Sequence, residues 1–535
     1  MVIRSSLFYL SALTLWGQAL DSLTPYPPYR TQLQQRGDVR DLSLREALET
    51  ALAQNPDIEI ENYNRELAGL STTSALSHYD PQVALNLSDI SSNIPVTSTL
   101  QTGSLDSQIT KSWSIAPSLQ QDLPGGGAAT FTANLTKSSN SSEYIFINPV
   151  FNSTLGVTLT QPLARGFRRT YAERQVVVSR INERMTESQF RQRVASVVEQ
   201  VVQAYWKLAA AIEAHEAQRL GREVAVAQFE ETRKLQKPGE PPSADLTSQR
   251  ADLVSREQAV AQAGVQIGQA SNNLKRLLTR SILDPLWEVG LITSDRPELG
   301  PPPMSVAEAV STAIKTREDL EQLRLHVSQS DAEVRYARQE TKPAVNLRVE
   351  FLSTGTAGRV YAISPDGVLS TTTLDPANPL YGGIAKASSQ ALKGTHPSVA
   401  AGLEIRLPVG NHAAKAQLAE AVVGGRKLNA QIRIAEEDIM IEVRNAREPL
   451  DTLRKNVEAA SVSRKQAEGK LAADIAKAGN APQSLDVLRS QRDLADARLH
   501  EMQTFIEYRK AEMSLAKATN PLVDDLQIVL ARRKT

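Results

Sequence analysis

Leu42-Ser43-Leu44-Arg45-Glu46-Ala47-Leu48 returns, 262 residues further on, as Met304-Ser305-Val306-Ala307-Glu308-Ala309-Val310. At the same offset Ala51-Leu52 meets Ala313-Ile314, Asp57-Ile58 meets Asp319-Leu320, Pro81 meets Pro343, and Val83, Leu85 and Leu87 meet Val345, Leu347 and Val349. One gap-free register over about 45 residues is the mark of an internal duplication. Beyond it Gln161-Pro162-Leu163 pairs with Leu407-Pro408-Val409, and Ser248-Gln249-Arg250 with Ser490-Gln491-Arg492. The chain therefore reads as a first structural repeat over 42–295, a proline-rich linker over 296–303 and a second structural repeat over 304–521.

Both copies carry the same order of patterns. A helical pattern runs from Ser43 to Tyr79, with a break at Asn55-Pro56, and its counterpart runs from Ser305 to Glu340. Next to a proline in each copy, alternation begins: Val83, Leu85 and Leu87 in the first, Val345, Leu347, Val349 and Phe351 in the second. Returning strands follow at Leu155, Val157 and Leu159, and at Val399 to Leu407, where Glu404 and Arg406 occupy the other face. Two very long helices come next, Tyr171 to Gln236 and Ala414 to Ala478. Their turns, Lys237-Pro238-Gly239 and Gly479-Asn480-Ala481-Pro482, lead into helices at Ser243 to Thr279 and Gln483 to Thr519. Val194, Val197, Val198, Val201, Tyr205, Leu208 and Ile212 recur at coiled-coil spacing, so the long helices need helical neighbours. Pro449 should kink or split the second long helix, and Gly424-Gly425 weakens it.

Helices of about 65 residues are roughly 100 Å long, and those of about 37 residues roughly 55 Å. Two of the shorter kind, end to end, match one of the longer. That arithmetic predicts a tall helical cylinder with strands at one end and helix-helix turns at the other.

The start of the chain has the features of a secretory signal over 1–19: Arg4, an apolar run from Leu7 to Trp16, then Gly17-Gln18-Ala19. An extended arm over 20–41 and a basic tail over 522–535 bracket the repeats. No later run of 18 apolar residues exists, so a membrane crossing would have to be made by strands. Sixty Lys plus Arg balance sixty Asp plus Glu among 535 residues, which argues against a nucleic-acid partner. The absence of cysteine excludes disulfides, thiolate metal sites and a cysteine-linked lipid anchor.

Signs of chemistry are equally absent. His78, His215, His326, His396, His412 and His500 have no metal spacing and read as surface residues. Gly125-Gly126-Gly127 lacks the Gly-Lys-Ser/Thr of a phosphate cradle. The sequence thus indicates no enzyme, no cofactor and no metal.

A few strands cannot close a barrel alone, and an open sheet edge is not tolerated in lipid, so identical chains must pool their strands. Here the chain resembles the TolC-like outer membrane efflux protein family. The carrying residues are Leu44 to Ile58, Thr160-Gln161-Pro162-Leu163, Thr316-Arg317-Glu318-Asp319-Leu320 and the run from Gly479 to Leu488, in that order, duplicated and spaced as quoted. Glu318 stands where the family usually has proline. The resemblance implies an α+β membrane protein, a trimeric transmembrane β-barrel continued by a long α-helical barrel and built from a tandem duplication. It further implies a homotrimer held in outer membrane lipid of a Gram-negative-type cell and reaching into the periplasm, where a periplasmic adaptor (membrane fusion) protein and an inner-membrane transporter would meet it. The function implied is that of an exit duct for tripartite efflux or type I secretion. A periplasmic coiled-coil adaptor that never enters a membrane is the rival, although adaptors usually carry one helical hairpin and this chain reads as two.

The resemblance also directs attention to the turns. Asp245, Ser248, Gln249, Asp486, Arg489 and Gln491 fall at the periplasmic gate of such a channel, and Lys237, Pro238, Gly239, Gly479 and Asn480 at the turns where an adaptor docks. Asp486 occupies a position of the family's acidic ring, whereas Arg489 replaces a second acidic one; the plainer reading is an exposed i,i+3 pair worth about 0.2–0.5 kcal/mol. Arg348, Glu350, Glu404 and Arg406 should face the lumen, since a charge facing lipid near the midplane costs about 2–4 kcal/mol. Finally, the patterns on either side of Pro124-Gly125-Gly126-Gly127 make Ser112 to Lys137 a hairpin beyond the family's four strands per chain. As decoration at the rim it leaves twelve strands in a trimer; inside the wall it makes eighteen.

Overall fold

The computed structural model describes residues 27–96, 106–142, 144–167, 169–235, 244–295, 299–363, 369–478 and 485–519. The signal sequence expected over 1–19, both hairpin turns and the C-terminal tail lie outside the described residues. Two compact units share the chain. One draws on residues up to Arg65, on Glu187–Gln322 and on the chain from Arg433 onward; the other on Glu66–Thr186 and Leu323–Ile432.

The first unit is helical. It contains α1 (Tyr29–Arg36), β1 (Val39–Leu42), α2 (Leu44–Gln54), the start of α3 (Pro56–Leu76), most of α4 (Arg174–Leu235), α5 (Ala244–Leu278), β6 (Gly290–Thr293), α6 (Val306–Thr316) and the start of α7 (Glu318–Glu340). The end of α9 (His412–Arg447), α10 (Leu450–Ala478) and α11 (Leu485–Thr519) complete it. The stretch read as an extended arm is not extended throughout: residues 29–36 form α1, and β1 pairs in parallel with β6.

The duplication has a physical counterpart at the helix starts. Ser43 accepts a hydrogen bond from the Glu46 backbone N–H, and Ser305 and Glu308 form a complete capping box. Both copies then break at equivalent residues, Asn55 (φ −66°, ψ 124°) and Arg317 (φ −68°, ψ 125°). Proline follows in the first copy and Glu318 in the second, so tertiary contacts hold the second break. Arg317 donates to both carboxylate oxygens of Asp319 (3.0 and 2.7 Å) and to Glu442 (2.5 Å), while Glu318 receives two bonds from Arg191 (2.6 and 3.0 Å). Pro449 splits the second long helix between α9 and α10, whereas Gly424-Gly425 stays within α9.

The core of this unit is the valine seam of α4. Val194, Val197, Val198, Val201, Tyr205 and Leu208 are fully buried, and Trp206 meets Phe505 edge to face at 4.8 Å. Each such side chain contributes about 1.5–3 kcal/mol by burial. Beyond Ile212 the seam turns polar: His215, Arg219 and Arg222 are buried. His215 is thus not a surface residue. It packs against the Tyr29 ring of α1 at 5.6 Å, and burial pushes its pKa down. The other five histidines are exposed.

The second unit is built on one antiparallel meander. β2 (Gln82–Pro95), β3 (Ser107–Asp122), β4 (Ala128–Asn140), β5 (Ile147–Pro162), β7 (Ala344–Ile363) and β9 (Pro397–Arg406) follow one another across the sheet, with β8 (Leu369–Leu374) beside the end of β7. The hairpin beyond four strands is therefore no decoration: β3 and β4 pair with each other and, on either side, with β2 and β5 over 11 to 14 residues. Such lengths meet or exceed the roughly 9–11 residues a membrane strand requires, so the hairpin has the reach of its neighbours.

Candidate functional site

Period-two alternation separates the faces of the sheet. Val83, Leu119, Phe131, Val157, Phe351 and Val399 stand side by side across all six strands on one face. On the other, Ser88, Ser114, Thr136, Asn152 and Thr356 form a polar row, with bonds of 2.8 Å from Ser88 to Ser114 and from Thr356 to Asn152. Arg348, Glu350, Glu404 and Arg406 lie on this polar face by alternation. Arg348 pairs with Glu350 at 3.1 Å and Arg406 with Glu404 at 2.6 Å, each along its own strand. Both edges of the meander are open. Thirteen of the 14 residues of β2 and all ten of β9 are exposed. Five successive antiparallel pairings make these two edges run in opposite directions.

The helices that adjoin those edge strands in sequence also carry exposed apolar stripes. On α3 the stripe is Ile60, Tyr63, Leu67 and Leu70, at helical spacing, and on α9 it includes Val423, Ile434 and Ile441. No helix among the described residues is long and apolar enough to cross a membrane, and none of them groups three His, Asp or Glu side chains in a way that could hold a metal.

At the two helical hairpins, Lys237, Pro238, Gly239, Gly479 and Asn480 fall outside the described residues. Asp245 and Ser248 are exposed near the start of α5. Asp486 and Arg489 approach to 3.8 Å, with the carboxylate 86% exposed, a loose surface pair. The firm ties lie close by. Thr232 donates to the Gln249 side-chain oxygen (2.9 Å) in the first hairpin, and Ser490, buried, donates to Asp474 (2.5 Å) in the second. Thr232 and Asp474 are counterparts under the 242-residue offset that relates Ser248-Gln249 to Ser490-Gln491. Gln491 is half-buried and makes no bond of this kind with the described residues; the residue beside it does.

Further from the second turn, Lys470 bonds Asp493 (2.8 Å) and Arg464 reaches Glu501 (2.7 Å). The Lys470 bond holds the Asp493 carboxyl below the usual range. Burial pushes the neighbouring Asp496 up, against the pull of Arg492 and of Arg256 on α5. In the first hairpin the buried Arg222 pairs with Glu257 at 3.1 Å. These polar ties show no apolar pattern, which is why periodicity missed them; the duplicated Ser-Gln pair is the signal that could have found Ser490.

A cleft of about 450 Å³ in the helical unit is lined by Arg193, Glu199, Arg317, Glu318, Asp319 and Lys517 among others. Its charges are mutually satisfied, with Arg193 on Asp57 (2.7 Å) and Lys517 on Glu199 (3.6 Å).

Residues 128–280 match the sequence model of a family described as outer membrane efflux protein. No curated protein matches the chain significantly. Among solved structures, the CmeC outer membrane channel of Campylobacter jejuni superposes with a TM-score of 0.58 at 15% identity, over 91% of this chain and 89% of that one. VceC of Vibrio cholerae gives 0.55 at 15% identity over 89% and 95%, and the open state of the MtrE channel of Neisseria gonorrhoeae 0.53 at 16% over 89% and 88%. By sequence over 128–280, and by fold over nine-tenths of its length, the chain is similar to the outer membrane efflux proteins.

Proposed function

We propose that the protein is the outer membrane exit duct of a tripartite efflux or type I secretion system. The observation that carries this reading is the six-stranded meander within the sheet: one face apolar across its width, the other polar and charged, and both edge strands, β2 and β9, open. In water such a sheet would expose its belt and invite edge-to-edge aggregation; in lipid it requires closure. Copies of the chain supply it, with β9 of one antiparallel to β2 of the next. The resemblance to the TolC-like family implies three copies, hence 18 strands. At about 4.8 Å per strand and a tilt near 40°, eighteen strands enclose a tube of roughly 36 Å diameter, against roughly 24 Å for twelve.

In this reading Arg348, Glu350, Glu404 and Arg406 face the water-filled lumen, and the two helical hairpins reach the periplasmic entrance, where an adaptor docks and the tips part. Asp245, Asp486 and Arg489 supply charge there, and the Ser490–Asp474 bond restrains the second hairpin. The adaptor rival is not favoured, because a sheet with a continuous apolar belt has no use in a soluble spacer.

Membrane fractionation tests the placement and planar-bilayer conductance the pore. With no native cysteine, pairs introduced at 85 on β2 and near 401–405 on β9 should cross-link separate copies. A soluble, non-conducting monomer would overturn the proposal.

A further inference from the structure

The apolar belt ends, on the strand ends away from the helices, in a row of different character. Trp113, Lys137, Phe151 and Ala357 stand side by side on the belt face of β3, β4, β5 and β7, with the Lys137 ammonium 6.0 Å from the Phe151 ring centre. Two residues further along the same face, by alternation, come Lys111 and Arg359, both exposed. Here too lies α8 (Ile384–Lys393). Ser353 on the belt face of β7 donates to the Ala391 carbonyl (2.6 Å), Ala387 and Ala391 are buried, and a side chain at Gly355 would collide with the Ala387 carbonyl. Lys386 and Lys393, two helical turns apart, project from the same side of α8 and are exposed, next to Leu392 at 75% exposure.

Five cations thus gather on the lipid side at one rim of the belt. Among the described residues none of the five lies within ion-pair distance of a carboxylate; Asp89 on β2 stands opposite Trp113 and diagonal to Lys111, and Lys386 donates one of its three N–H groups to the Tyr381 carbonyl (2.9 Å), leaving the other two. A free anion would need only the charges. This rim sets them directly above an apolar wall, beside aromatic rings and an exposed leucine, which suits a ligand with a phosphate head and acyl chains. We infer that α8 and the ends of β3, β4 and β7 form a seat for a phosphate-bearing lipid of the outer leaflet. The inference rests on the outer membrane reading above.

Native mass spectrometry of the detergent-solubilised protein, with added diphosphorylated lipid A, tests it. The wild type should retain that lipid in preference to its dephosphorylated form. Retention should fall about fivefold for each cation removed, hence about 25-fold in K386Q/K393Q. Equal retention of both lipids, equal retention by K386Q/K393Q and by the fivefold variant K111Q/K137Q/R359Q/K386Q/K393Q, or displacement by inorganic phosphate at matched concentration would each overturn the seat. The same preparations go into planar bilayers. Normal conductance without lipid discrimination removes the seat alone, whereas absence of conductance removes the channel reading on which it rests.

Discussion

Replacing Ser490 by alanine isolates the bond that ties the second hairpin. Ser490 is 1% exposed and its hydroxyl donates to the Asp474 carboxylate at 2.5 Å; the carboxylate, itself 19% exposed, otherwise has Lys477 at 3.9 Å. A hydrogen bond to a charged group contributes about 1.5–3 kcal/mol. At about 1.4 kcal/mol per decade, its loss should raise the population of the locally opened hairpin by roughly ten- to a hundredfold. Helix propensity acts the other way, since alanine is the better helix former by a few tenths of a kcal/mol. The sign of the effect therefore discriminates between bond and propensity. Hydrogen exchange of the amides in 474–478 and 485–490 reads the local opening directly. Exchange that is unchanged or slower in Ser490→Ala would refute the energetic argument. In planar bilayers the variant should open more often if this hairpin gates the pore. Faster exchange with unaltered conductance would separate a loosened hairpin from a gate.

Acid should loosen the same hairpin: with its carboxyl held below the ordinary Asp value near 3.9, Asp493 contributes stability that is fully present above that value and is lost as pH falls through the lower folded one. Exchange in α10 and α11 should then rise below about pH 4 in the wild type, less steeply in Asp493→Asn; identical profiles would refute the linkage. Gly355→Leu should lift α8 from the sheet, because the added side chain meets the Ala387 carbonyl; trypsin should cut at Lys386 or Lys393 much sooner than in the wild type, and an unchanged digest would show that α8 does not depend on that contact. Tyr205→Phe removes the buried hydroxyl whose one proton lies between the Leu42 carbonyl (3.0 Å) and the Asp295 carboxylate (2.6 Å), and should lower the unfolding free energy by about 1.5–3 kcal/mol. A denaturation midpoint equal to that of the wild type would contradict this.

Much of the chain was legible because its signals are local or repeated. Ser43 and Ser305 with their glutamates start helices by capping, Pro449 ends one by lacking an N–H, and the Val194-to-Leu208 spacing announces a buried seam whatever its neighbours. What escaped was set by distant partners. No proline follows Arg317 as Pro56 follows Asn55, yet its bonds to Glu442 and to the Ala518 carbonyl hold the break from more than a hundred residues away. His215 lacks any motif, yet it is buried and its ring meets Tyr29 of α1. The arms around Pro124 could be recognised as strands, but membership of the sheet depends on their long registers with β2 and β5.

By itself the sequence determined the repeat, the span of the long helical stretches, and which residues of each strand are apolar and which charged, since these follow from periods of 2 and 3.6 along one chain. Only the tertiary structure decided that six strands form one sheet, that α8 lies on its apolar face, and that Ser490 rather than Gln491 ties a hairpin. Those are choices among partners remote in sequence, and hydrogen-bond register and side-chain packing between such partners leave no periodic trace in the order of residues.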